Sequence, residues 1–186
     1  MPNFELQFPG GEIESLAARF GSGADDGDER LHAMGGAVRA RGYYTRGEFV
    51  TVCGWKSPRS RPKILSNSRT SIIRNTRVAL AARDELGRIE PLLALHGVGV
   101  PTASTLLFVA FPTEYPILDV RALESLGVKA RSTYPVDFWL SYLAACRRLA
   151  REHAVSIRTL DKALWQHSKE QSRVRQSAST GRMTGR

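Results

Sequence analysis

The chain has 186 residues, of which 42% are hydrophobic and 24% are charged. These values are ordinary for a globular domain with a substantial core. The formal net charge of +9 favours an anionic partner, of which nucleic acid is the commonest, although many small basic proteins do not bind DNA. Cys53 and Cys146 form neither a Cys-x-x-Cys pair nor a metal-binding spacing, so we expect buried free thiols in a reducing compartment.

Two features of the sequence bear on location. The most apolar stretch, residues 103–111, is too short to span a bilayer. The first residues lack the basic start and apolar run of a signal peptide. We therefore expect a cytoplasmic protein that makes no contact with a membrane.

Apolar residues recur at helical spacing along most of the chain, and no convincing run of alternating strand residues is present. The predicted fold is therefore all-α. Helices are predicted, in chain order, at residues 12–20, 31–41, 46–55, 70–83, 89–95, 102–111, 119–126, 135–152 and 156–167.

The segments between these helices divide the chain into three parts. Residues 1–30 comprise a short helix and a mobile loop rich in Gly and Asp at 21–28. Residues 31–167 form the main helical domain, in which prolines make the basic segment 57–62 a loop. Residues 168–186 are basic and poor in apolar residues, which predicts a disordered tail.

A glycine-rich turn connects the predicted helices at 89–95 and 102–111. Gly97 and Gly99 allow a tight turn that brings backbone amides to a helix N-terminus, where unpaired N–H groups and the helix dipole attract a phosphate. A Gly-x-Gly turn by itself is also found in plain connections between helices. Pro101 suits the first turn of the second helix, where a missing amide has little effect.

A carboxylate follows this turn at a fixed distance. Asp119 lies 18 residues after Pro101, within Pro-Ile-Leu-Asp, and begins another predicted helix. Aspartate is a common helix N-cap, and a capping residue is also rigid enough to serve in catalysis. The two interpretations of Asp119 are compatible.

The pattern Leu-x-Gly-Val-Gly-x-x-Thr-Ala from Leu95, followed by Pro-x-x-Asp ending at Asp119, resembles the helix-hairpin-helix (HhH-GPD) DNA glycosylase superfamily. The resemblance is clearest over residues 88–127, with the hairpin at 88–111. It implies a two-lobed helical DNA glycosylase-like fold. It also implies that Asp119 is the catalytic carboxylate, which activates water or stabilises positive charge on the sugar as the base leaves.

The resemblance further implies how DNA is held at the hairpin. The amides of Gly97, Gly99 and Thr102 would bind a DNA phosphate. A monovalent cation, K⁺ or Na⁺, would join the hairpin to that phosphate through the backbone carbonyls of Leu93, Leu95 and Val98. No other cofactor is required.

The sequence departs from the family pattern at three points. Pro101 occupies the position at which bifunctional members carry a lysine that forms a Schiff base with the sugar, so the resemblance implies a monofunctional hydrolase. His96 stands where proline is usual. With only two cysteines, the chain lacks the four ligands of the iron–sulfur cluster that many relatives contain.

A glycosylase stacks its flipped base on aromatic or apolar groups. The candidates for this pocket are Tyr43, Tyr44, Trp55 and Lys56. The alternative is that Tyr43 and Trp55 belong to the core. Lys56 is either a second catalytic or recognition group or a solvated lysine. Trp139 and Trp165 fall at helical spacing and are predicted to be core residues.

Basic residues are concentrated just before the hairpin. Residues 55–88 contain nine Lys and Arg against two acids, and Arg59 is a candidate DNA contact among them. Arg121, two residues after Asp119, either contacts a phosphate or solvates its helix. Phosphate contacts of this kind give salt-sensitive affinity without sequence preference.

The sequence therefore predicts a monofunctional DNA glycosylase that removes a damaged or modified base from double-stranded DNA and leaves an abasic site. We expect a monomer associated with the nucleoid. The first alternative is a non-catalytic helix-hairpin-helix DNA-binding protein, in which Asp119 is only a cap. The second alternative is a helical bundle that binds another protein.

Overall fold

The computed structural model describes residues 2–21 and 26–181. This part of the chain is helical and contains no strand, which confirms the predicted all-α class. Its helices are α1 (Ile13–Arg19), α2 (Asp26–Arg41), α3 (Arg46–Lys56), α4 (Arg61–Leu65), α5 (Arg69–Ala81), α6 (Glu85–Leu93), α7 (Val100–Ala110), α8 (Val120–Ser125), α9 (Val136–Glu152) and α10 (Ile157–Gly181). None of these helices is both long enough and apolar enough to cross a membrane.

Helix α7 lies at the centre of the core. Every residue from 102 to 110 is buried, so the helix is enclosed on all sides by α2, α3, α6 and other elements. Helix α2 approaches it closely at Gly35, where an added Cβ would lie 2.2 Å from the carbonyl oxygen of Val109. Arg39 of α2 donates to the last carbonyl of α7, on Ala110, over 2.8 Å.

Helix α10 packs against α1, α8 and α9. The prediction that the last helix stops at His167 is wrong, because α10 continues to Gly181. Its extension has specific partners: Ser168 is buried and donates to Glu124, and Glu170 accepts from Arg19 over 2.9 Å. Residues 168–181 therefore belong to α10, and residues 182–186 of the predicted tail lie outside the described residues.

Two other segments differ from the prediction. The basic segment after α3 is a 3₁₀ turn (Pro58–Ser60) followed by α4, because each proline occupies the first turn of its helix, where no N–H is needed. In the predicted mobile loop, residues 26–28 already belong to α2, and residues 22–25 lie outside the described residues.

Candidate functional site

The glycine turn, residues 94–99, joins α6 to α7. Gly97 has φ +78°, in the left-handed region, and an added Cβ would lie 3.0 Å from both the Ile64 nitrogen and the Lys63 Cβ of α4. Gly99 has an extended backbone and N-caps α7, and an added Cβ there would meet only Pro101 Cδ, at 3.9 Å. The turn therefore requires a glycine at position 97, whereas the backbone and contacts of Gly99 would also accommodate a side chain.

A buried amide fixes this turn to the end of α4. Asn67 donates to the carbonyl of His96 over 2.9 Å and accepts from the amide of His96 over 2.8 Å. Asn67 is 6% exposed, so the reciprocal pair is shielded from water. Proline has no N–H and could not make the second of these bonds. The bond to Asn67 therefore accounts for a histidine at position 96, where the superfamily usually has proline.

The backbone groups predicted to bind phosphate and cation cluster at this turn. Gly99, the N-cap of α7, has no side chain to cap the helix, and the first turn of the helix contains Pro101 and Thr102. The carbonyl of Leu93 belongs to the last turn of α6, and that of Leu95 accepts from the amide of Val98 over 3.2 Å. A second lone pair remains on the Leu95 carbonyl.

Asp119 is the N-cap of α8, as one of the two interpretations predicted. Its Oδ1 accepts from the amide of Arg121 over 2.9 Å. Its Oδ2 accepts from Lys56 Nζ, at the end of α3, over 2.7 Å. The Asp119 side chain keeps 29% of its surface exposed, while that of Lys56 keeps 11%. Asp119 therefore joins α8 to α3 and remains open to solvent.

The extended segment before Asp119 is held from three helices. Ser104 of α7 accepts from the amide of Leu118 over 2.9 Å. Asp161 of α10 accepts from the amide of Ile117 over 3.1 Å, and Tyr142 of α9 donates to the carbonyl of Ile117 over 2.9 Å. The position of the carboxylate is thus determined by the packing of the helices around it.

A cavity of about 60 Å³ opens beside Asp119. Three aromatic rings form much of its wall, those of Phe20, Trp55 and Trp165. A second carboxylate, Asp161, and its ion-pair partner Arg158, at 2.6 Å, also line it. The remaining lining residues are Ile117 and Ala122.

The two carboxylates of this cavity ionise differently. Burial disfavours the charged form of Asp119, but the ammonium of Lys56 and the amide of Arg121 outweigh it and hold its pKa below the ordinary value. For Asp161 burial dominates and raises the pKa to about 6, although the Arg158 guanidinium and the amide of Ile117 lower it and Asp119 raises it further. At neutral pH Asp119 carries a stable negative charge.

Of the four residues predicted for the pocket, Trp55 and Lys56 lie at Asp119. Tyr44 does not: it is fully buried in the core, and its hydroxyl donates to the carbonyl of Leu106 over 2.5 Å. Tyr43 is also absent from the cavity, since its half-buried ring lies under the guanidinium groups of Arg41 and Arg77. The prediction that Tyr43 and Tyr44 line the pocket is therefore wrong.

The structure also corrects the assignment of Trp165. It lines the cavity and is only half-buried, whereas Trp139 is a fully buried core residue as predicted. The sequence contained a signal for this wall, because Arg158, Asp161 and Trp165 follow one another at helical spacings of three and four on one face of α10. Phe20 lies just after α1 and had no such signal.

Cations cover the aromatic wall. Arg121 and Lys169 lie over the ring of Trp165, at 5.1 and 4.9 Å from its centroid. Arg158 and Lys162 lie over Phe20 at 5.4 and 5.6 Å. Arg121 is thus held over an aromatic ring at the cavity, an arrangement that adds stacking to its charge.

The basic residues between 55 and 88 do not all share one role. Arg59 is exposed in the 3₁₀ turn after α3, close in sequence to Lys56. Arg88, by contrast, stacks on Phe111 at 4.1 Å, pairs with Glu114 at 3.5 Å and donates to Ala82. The charge of Arg88 therefore serves the packing of the fold.

No family model, curated protein or solved structure matches this chain. Among residues 2–21 and 26–181, no group of three or more His, Cys, Asp or Glu side chains is arranged to hold a metal ion. Both cysteines are buried and free, as predicted.

Proposed function

We propose that the protein is a DNA N-glycosylase that binds double-stranded DNA and hydrolyses the bond between a flipped damaged or modified base and its sugar. One observation carries the proposal: an ionised carboxylate, Asp119, fixed beside a cavity walled by three aromatic rings. Stacking surfaces are what a flipped base needs, and a fixed negative charge is what an oxocarbenium-like transition state needs.

In the proposed reaction, water attacks C1′ of the flipped nucleotide. The C1′–N bond breaks, its electron pair leaves with the base, and Asp119 accepts a proton from the water or stabilises the positive charge on the sugar. Lys56 keeps Asp119 ionised for this task. Pro101 provides no amine at the hairpin, so the base is displaced by water.

The two-lobed arrangement of the glycosylases is part of the proposal. Helices α2, α3 and α6 pack around α7, while α1, α8 and α9 pack around α10. Lys56 and Asp119 come from different groups and meet at the cavity. A duplex lying across this junction would place one nucleotide at Asp119.

The glycine turn would hold the DNA backbone. The amides of Gly97, Gly99 and Thr102 would donate to one phosphate, and Arg59 and Arg121 would contact others. A K⁺ or Na⁺ ion at the carbonyls of Leu93, Leu95 and Val98, when bound, would neutralise part of the phosphate charge. Association with the nucleoid would follow from such binding.

Entry of a base requires side chains to move. The cavity of about 60 Å³ is well below the roughly 300 Å³ at which small-molecule pockets begin. We expect Trp55 to move, because its side chain is 36% exposed. We also expect Arg121 and Lys169 to move away from the ring of Trp165. The flipped base would replace these cations on the aromatic faces.

The test is release of a base from DNA. Duplexes that each contain one candidate lesion or modified base are incubated with the protein and heated in alkali, which cuts the strand at any abasic site. We expect cleavage with at least one duplex, and a loss of about 100-fold or more for Asp119→Asn, which keeps the cap but removes the charge. Asp84→Asn is the matched control, because Asp84 N-caps α6 without lining the cavity.

One observation favours a second function, that of a non-catalytic DNA-binding protein. Both oxygens of Asp119 already have partners, so the residue is also explained as a structural cap. Salt-sensitive binding to duplex DNA without base release across the whole panel would establish this alternative. A protein that binds no DNA at any salt concentration would instead be explained as a helical bundle for another protein.

A further inference from the structure

Four cations and one aromatic residue share a face of α10. Counted from Arg158, the steps to Lys162, Trp165, Lys169 and Arg173 are four, three, four and four residues, which places all five on one side of the helix. We call Arg158, Lys162, Lys169 and Arg173 the α10 stripe. A rise of about 1.5 Å per residue makes the stripe about 22 Å long.

The α10 stripe carries one sign of charge. A solvated helix face usually alternates acids with bases, whereas both acids of α10 already have partners. Asp161 is 7% exposed and pairs with Arg158, and Glu170 pairs with Arg19 of α1. Beyond its first residue the stripe therefore presents positive charge, and Arg173 at its far end is exposed.

The stripe begins at the cavity that the three aromatic rings form. Arg158 and Trp165 line this cavity. Arg158 also lines a neighbouring cleft of about 330 Å³ between α2 and α10, together with Lys162, His32 and one acid, Glu29. The cavity and the cleft are therefore adjacent, and the cations of the stripe continue along α10 from both.

We propose that the α10 stripe is a second DNA-binding surface, which contacts backbone phosphates beside the flipped nucleotide. The inference rests on the proposed function, which places that nucleotide at Asp119. One strand of duplex DNA advances about 3.4 Å per nucleotide along its axis, so the stripe spans the axial rise of about six nucleotides. The glycine turn and the stripe then hold the duplex through two different helices, α7 and α10.

The two lysines of the stripe lie over rings of the cavity wall. Lys162 lies 5.6 Å from the ring centroid of Phe20, and Lys169 lies 4.9 Å from that of Trp165. A base that stacks on Trp165 displaces Lys169, whose ammonium then pairs with a phosphate of the same strand. Base entry and phosphate binding at the stripe therefore favour each other.

The test measures how duplex binding by the full-length protein depends on salt. Fluorescence anisotropy gives the affinity for an undamaged duplex of about 20 base pairs, which is about three times as long as the stripe. Each phosphate contact contributes about 0.9 to the slope of log affinity against log salt concentration. Arg173→Gln should therefore reduce the magnitude of the slope by about 0.9, and the double variant Lys162→Gln, Arg173→Gln should reduce it by about 1.8.

Arg175→Gln is the matched control. Arg175 carries the same charge as Arg173 and is also exposed, but it lies on another side of α10, where it lines a separate cavity with Glu124 and Lys129. Its replacement should change the slope by less than about 0.3, and Arg173→Lys should retain the wild-type slope because it keeps the charge. Thermal unfolding of each variant checks that the fold is kept.

An unchanged slope for Arg173→Gln overturns the inference. An equal fall for Arg173→Gln and Arg175→Gln also overturns it, because net charge alone then explains the binding. Base release is assayed separately with the same variants, so release that persists beside an unchanged slope leaves the proposed function standing. The expected slopes without release of any base support the stripe and count against the glycosylase, whereas failure to bind any duplex overturns both proposals.

Discussion

Replacement of Asp161 by asparagine should change how the stability of the protein depends on pH. Asp161 is 7% exposed, and its pKa is raised from an ordinary 3.8 to about 6, mainly by burial. The folded state therefore binds a proton more tightly than the unfolded state does. Between about pH 4 and pH 6 the free energy of unfolding falls as this proton is lost, and a difference of about two pKa units corresponds to about 3 kcal/mol.

Asparagine removes this ionisation and retains a carbonyl oxygen that can accept from the amide of Ile117. It also removes the partner of Arg158, which lowers stability by an amount that does not follow the titration of Asp161. The measured quantity is therefore the difference in unfolding free energy between variant and wild type, at about pH 3 and again at about pH 7. We expect this difference to shift in favour of Asp161→Asn by about 3 kcal/mol between the two pH values.

Urea denaturation followed by tryptophan fluorescence gives these free energies, and thermal unfolding should show a corresponding relative shift of roughly 6–12 °C. Asp137→Asn is the matched control, because Asp137 is exposed in the first turn of α9. If the two aspartate variants have the same pH profile as each other, burial does not control the ionisation of Asp161 and the reasoning is refuted.

Three other predictions concern the cavity and the turn. Lys56→Met should raise the pKa of Asp119, because burial then acts without its main counterion. The acid limb of the proposed base release should therefore lie at higher pH in this variant than in the wild-type protein, and an unmoved limb contradicts this. Gly97→Ala should lower the melting temperature, whereas Gly99→Ala should leave it unchanged. Gly99→Ala should instead weaken DNA binding in filter or fluorescence titrations. Equal melting temperatures for the two variants would contradict the steric difference between the two positions. Tyr44→Phe should lower the free energy of unfolding by about 1 kcal/mol, because it removes the hydrogen bond to the carbonyl of Leu106. It should leave the proposed base release unchanged, and a change in substrate preference would show that Tyr44 contacts the base.

Periodicity predicted the helical class because most helices here have an apolar face that packs on one core. The same periodicity could not separate Tyr43 and Tyr44 from Trp55, since all three are aromatic residues near helix ends. What separates them is the packing of α3 against α7, which buries Tyr44 and leaves Trp55 at the cavity. That packing depends on contacts distant in sequence.

The carboxylate at residue 119 was predictable because N-capping and spacing are local properties. Its ion pair with Lys56 was not, because 63 residues separate the two and no spacing rule connects them. The length of α10 was missed for a similar reason. Its polar residues resemble a solvated tail until Glu170 and Ser168 meet partners on α1 and α8.

The contact between α1 and α10 has a consequence for how the protein is made. Arg19 and Glu170, which are 151 residues apart, meet beside the edge-to-face pair of Phe20 and Trp165. Closing a loop of this length costs roughly 4 kcal/mol of chain entropy, so this contact should form late in folding. A chain still on the ribosome has the glycine turn and Asp119 before it has α10. The aromatic wall of the cavity is therefore completed only after synthesis passes residue 170, and a partly made chain carries Asp119 without the completed cavity beside it.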